Sequence, residues 1–169
     1  INVSSENFNL LLILVISFLA GPIFGLIAIL YMKSLLFFAK LASSDKLSVF
    51  FKYLIGVLSL SIIGHFMPEV MGLGAETVTG VLNSSYTLIF LVIILIGKIL
   101  ATSISLNFGF FGGVFSPAIL VGAAAGAVVS TFLVTVGIFE DFQQAFVISG
   151  IAAVAGAVIG APICMVIIV

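Results

Sequence analysis

Arginine is missing from this chain, so its positive charge rests on five lysines and one histidine. Against six carboxylates, the formal net charge is −1. Neutralising a phosphate backbone needs a clustered basic face, so nucleic acid is excluded as a partner class. The single cysteine, Cys164, lies within an apolar run. It supports neither a disulfide framework nor a metal cluster, and no metal or cofactor is expected. His65, Cys164 and scattered carboxylates do not assemble a nucleophile, a base and a group to orient it, which leaves enzymatic chemistry the least favoured class. Charge of either sign is scarce, at 7% of residues against about 25% in soluble domains.

What fills the chain is apolar: 63% of residues are hydrophobic and the mean hydropathy is +1.52. Apolar runs occupy residues 8–32, 47–67, 86–106, 118–136 and 145–169. About 20 residues cross the hydrocarbon core of a bilayer, so these runs predict an all-α, polytopic integral membrane protein, with the plasma or inner membrane as the expected location rather than one the runs specify. The first run is too long for a signal-peptide core and no basic region precedes it. Gly21-Pro22 in its middle predicts a kink. Lys33, Lys40, Lys46 and Lys52 crowd around Ser43-Ser44-Asp45, a bias that places the 33–52 connection in the cytoplasm and 68–80 on the opposite side. The alternative reading of these lysines is a solvated face without topological meaning.

The chain is organised around residues 107–126. Gly109, Gly112 and Gly113 lack a Cβ and let the backbone leave regular structure between two deep apolar runs. Ser116-Pro117 then predicts a helix start, with Ser116 as cap and Pro117 in the first turn. A glycine break feeding a helix N-terminus leaves several amides unpaired and attractive to an anion. Irregular backbone at membrane depth survives only where protein buries it or water lines it.

Lys98 interrupts the 86–106 run, where an ammonium is expensive unless it finds partners. It either lends positive potential to an anion pathway or holds neighbouring carbonyls or a carboxylate from another helix. Glu140-Asp141 with Gln143-Gln144 marks a membrane surface between apolar runs. The last run is expected to break at Gly150, Gly156, Gly160 and Pro162, its small residues allowing close helix approach. Ile1 opens the chain and Val169 closes it on an apolar run, which is read as a piece of a longer protein.

Gly112-Gly113-Val114-Phe115-Ser116-Pro117 resembles the Gly-[Ile/Val]-Phe-x-Pro signature of the CLC chloride channels and chloride/proton exchangers. Pro68-Glu69-Val70-Met71-Gly72-Leu73-Gly74, Lys98, Gly122 and Gly126, and the stretch from Gly150 to Ala161-Pro162 follow in the family's order. The chain departs from the family pattern at Asn107-Phe108-Gly109, usually Gly-Ser-Gly, and at the bulky Phe110-Phe111. The resemblance implies residues 1–169 form most of the second inverted repeat of the transport domain, with broken and re-entrant helices. It implies chloride or a similar anion held by the amides at Gly113, Val114 and Phe115, supported by Gly109, Gly112, Ser116, Pro117 and Lys98. It implies a homodimer meeting through Pro162, Ile163 and Val166, and a missing N-terminal half that completes the pathway. The piece alone is then expected to be inactive. The competing reading is a structural membrane fragment whose glycines serve helix packing.

Overall fold

The computed structural model describes residues 3–43, 48–135 and 143–169, with the side chains of 3–14 excepted. Every regular element among them is helical: α1 (Val3–Ala42), α2 (Val49–Phe66), a 3-10 turn (Pro68–Val70), α3 (Ala75–Leu82), α4 (Leu88–Asn107), α5 (Phe115–Thr135), α6 (Gln143–Ile159) and α7 (Pro162–Ile168). Segments Val15–Ala42 of α1, α2, α4 and α5 are each long and apolar enough to cross a membrane. Glu140, Asp141, Ser44 and Lys46, to which the sequence assigns surface turns, lie outside the described residues.

Helix α5 is the central element. It packs most extensively on α6 and next on α4. Residues Leu120 to Ala127 are buried without a gap, so this stretch of α5 is enclosed on all sides rather than along one stripe. Ala and Gly dominate this run because only small side chains let neighbouring backbones close in. The main core joins Ala118, Val121 and Ala125 of α5 to Phe24 and Tyr31 of α1, Ile99 of α4, Val154 of α6 and Met165 of α7. A second cluster binds Val81 of α3 and Leu91 of α4 to Ala123, Ala127, Val147 and Ile151.

Helix α1 differs from expectation in length. Lys33 and Lys40 lie on the helix instead of in a connection, because no glycine or proline interrupts residues 23–42 except Gly25 near the start. Long lysine stems can run along an apolar helix and lift their ammonium groups to the interface. The helix is also continuous through Pro22. One stripe, Ala20, Phe24, Ala28 and Tyr31, faces the core at helical spacing, while Phe18, Leu26, Leu30 and Phe37 are exposed, as lipid-facing residues would be.

The last apolar run breaks once, not at each glycine. Gly150 and Gly156 sit inside α6, and the chain turns only at Gly160 (φ 76°) and Ala161 before Pro162 opens α7. Packing explains the difference. Gly150 lies against Gly122 of α5, and Gly156 against Pro162, so both glycines serve close approach within a continuous helix.

Candidate functional site

After α4 ends at Asn107, Gly109 takes a left-handed φ of 99° and residues 110–113 run without regular structure into α5. Helix α2 supports this loop. Tyr53 stacks edge-on against Phe110 at 6.2 Å, and a Cβ on Gly56 would meet Phe110 Cε2 at 2.8 Å. The bulky Phe110 therefore fits because Gly56, which sequence reading did not single out, leaves it room. Phe111 instead stands fully exposed. Gly109 lies against Tyr53, where a Cβ would come within 2.5 Å of Cε1. Its role is to turn the chain and admit that ring.

Helix α5 starts three residues before the expected body, at Phe115, and the Val114 carbonyl accepts the Ala118 amide at 3.1 Å. Ser116 thus lies inside the first turn and does not cap it. Its hydroxyl donates to the Leu73 carbonyl at 2.6 Å. Pro117 occupies the same turn, where no helical hydrogen bond is lost. Among the described residues, the amides of Gly113, Val114 and Phe115 donate to no backbone carbonyl. Together with the helix dipole they form a patch of positive potential.

Gly113 and Phe115 front a cavity of ≈ 500 Å³. Gly112, Gly113, Phe115, Ser116 and Pro117 line one side, Lys98, Thr102 and Ser105 of α4 another, and Val70 to Leu73 a third. Val114 does not line it, since its side chain packs into the main core. Gly113 faces open space, and Phe115 is 45% exposed. Lys98 is only 3% exposed, and its Nζ donates to the carbonyls of Val70 and Gly72, both at 2.7 Å. Two carbonyls satisfy an ammonium that lipid could not. Of the two readings of Lys98, this geometry supplies the carbonyl partners, while the same side chain also borders the cavity.

The Val70–Leu73 wall belongs to a stretch that the sequence matched to the family's order without giving it a place at the anion site. Gly72 and Gly74, both left-handed at φ 63° and 77°, bend it. A part-buried polar seam also ties α1 to the end of α4. Ser103 donates to the Ser34 hydroxyl at 2.9 Å, and the Asn107 side-chain amide donates to the Leu35 carbonyl at 3.1 Å. Asn107 thereby anchors the start of the loop. Pro162, Ile163 and Val166 lie on α7, away from this cavity, with exposed side chains.

A family model described as voltage gated chloride channel matches residues 2–169. An uncharacterized protein of Methanocaldococcus jannaschii is 33% identical over 147 residues, covering 86% of this chain and 36% of that protein. The H(+)/Cl(-) exchange transporter ClcA of Vibrio vulnificus is 29% identical over 165 residues, covering 89% of this chain and 33% of its own length. ClcA of Vibrio parahaemolyticus is 27% identical over the same shares. No solved structure matches the chain significantly. The chain spans about a third of the length of these relatives. Matched from residue 2 to its end, this helical, multi-pass membrane chain belongs to the voltage gated chloride channel family.

Proposed function

We propose that this chain supplies one wall of a transmembrane pathway for chloride, working as a channel or a chloride/proton exchanger. The observation that carries this reading is the set of unpaired amides at Gly113, Val114 and Phe115, which opens beside the Lys98 cavity. The activity in the names of the Vibrio relatives supports chloride as the ion and proton exchange as one mode. An anion at this place accepts from backbone N–H groups and loses little hydration that they do not replace. The Phe115 ring narrows the approach while its amide binds.

In this reading residues 1–169 are most of the second inverted repeat, and a first half supplies the rest of the coordination shell. Two such subunits meet through Pro162, Ile163 and Val166. The 169 residues alone are inactive, since loop amides without their protein cover would face lipid. The competing role, a packing fragment without transport, gives no use for amides left unpaired beside an open cavity.

Crystals of the full-length protein grown with bromide test the site. Anomalous density is expected about 3.0–3.5 Å from the Val114 and Phe115 amide nitrogens, slightly beyond ordinary N–H···O distances. Density confined to other places would overturn the assignment.

The orientation follows from the lysines. Ser43, at the exposed end of α1, belongs on the cytoplasmic side. With Cys164→Ser as background, Ser43→Cys is expected to resist membrane-impermeant thiol reagents in intact cells. Rapid labelling from outside would invert the topology.

A further inference from the structure

The strap from Val70 to Gly74 is anchored at residues 70, 72, 73 and 74 onto the helices that frame the cavity. Lys98 of α4 takes the Val70 and Gly72 carbonyls, each at 2.7 Å. Ser116 of α5 takes the Leu73 carbonyl at 2.6 Å. Gly74 seats against α5, where a Cβ would meet Leu120 Cδ2 at 2.7 Å. Left-handed backbone at Gly72 and Gly74 makes the sequence of contacts possible.

The chemistry of these anchors matters at an anion site. Carbonyl oxygens carry negative partial charge, and bare ones on the cavity wall would repel an anion facing them. Here the carbonyls of residues 70, 72 and 73 are each occupied by a donor. Lys98 does this with a charge, so removing it changes field and geometry together. Ser116 is neutral and acts on geometry alone. It also sits one residue after Phe115, so its bond fixes the first turn of α5 relative to the strap.

We propose that Ser116 is a positioning residue: its hydroxyl, bonded to Leu73, holds the 70–74 strap against the start of α5 and so sets the affinity of the anion site. This rests on the anion reading given above. The hydroxyl does not touch the ion in this role; it keeps the Leu73 carbonyl engaged and the loop amides in place.

The test compares Ser116→Thr with Ser116→Val, near-isosteric side chains that differ by the hydroxyl, and adds Ser116→Ala. Chloride affinity is measured by isothermal titration calorimetry on the purified full-length protein, with the chloride-to-nitrate flux ratio in liposomes as second readout. Loss of one hydrogen bond is expected to weaken chloride binding about three- to tenfold in the valine and alanine variants, with threonine close to wild type. The flux ratio should move in the same two variants, which a purely structural role for the hydroxyl would not require. Valine and threonine binding chloride equally would overturn the proposal, as would an alanine variant with wild-type affinity and flux ratio. Wild-type protein that binds no chloride would overturn the anion reading itself and this inference with it.

Discussion

Gly126→Ala is expected to unseat α5 from α6, although it adds a single methyl group. A Cβ at this position would overlap the Phe146 carbonyl oxygen and come within 2.7 Å of Val147 Cα. At Gly122 a Cβ would likewise come within 2.6 Å of the Gly150 carbonyl oxygen. These obstacles are backbone, so no rotamer change relieves the overlap and the helices must separate. Overpacking a well-filled interior costs about 1–3 kcal/mol, and a rigid backbone contact belongs at the upper end or beyond. The loss spreads, because α5 is also the centre of the main core. Gly25→Ala on α1 is the matched control, since a Cβ there meets nothing within 4 Å. Helix propensity alone would make it neutral or stabilising by about 0.5–1 kcal/mol. Thermal unfolding of detergent-purified protein should therefore separate the two substitutions in sign. Similar melting temperatures for both would show that the α5–α6 contact is not limiting.

Lys98→Met is expected to have the other large effect, on stability and on anion binding together. The methionine fills much of the same space but donates nothing to the Val70 and Gly72 carbonyls. The buried Val70 acceptor left without a donor costs about 1–3 kcal/mol, and the part-buried Gly72 carbonyl less. Removing the ammonium also relieves its own desolvation, so the net loss is smaller than the sum, about 2 kcal/mol. Lys98→Arg should not rescue fully, because a planar guanidinium does not reproduce the two bonds of a compact ammonium. Chloride affinity should fall further than in the Ser116 variants, since both the positive charge and the strap are lost. A methionine variant with wild-type melting temperature and affinity would remove Lys98 from both roles.

The break and helix start at the candidate site were legible before any contact was known. The glycines at 109, 112 and 113, followed by Pro117, marked a break leading into a helix, and the break is there. Ser116 was misread as a cap because Ser before Pro is a common helix opening. Its true partner, Leu73, lies 43 residues away. Local pattern carries no information about that pairing. Gly56 gave no signal either, since an isolated glycine in an apolar helix reads only as a weak packing site; its meaning depends on Phe110 arriving from another segment. Gly150 and Gly156 were overread as breaks for the converse reason. Glycine weakens a helix intrinsically, but a neighbour packed against the bare backbone keeps it helical.

By itself the sequence determined the solvent and the class of fold. Transfer to lipid sums over residues, so 63% hydrophobic content with few charges dictates membrane spans whatever the tertiary arrangement. With no water at that depth, backbone groups must bond within their own segment, and helices follow. The tertiary structure alone decided which segments enclose the cavity and what each polar group does there. Lys98 was plainly in need of partners, but its carbonyls lie 28 and 26 residues upstream. They reach it only because α4 packs on the turn after α2 and Gly72 bends that turn towards it. Hydrogen bonds act over about 3 Å, and only packing brings groups distant in the chain to that range.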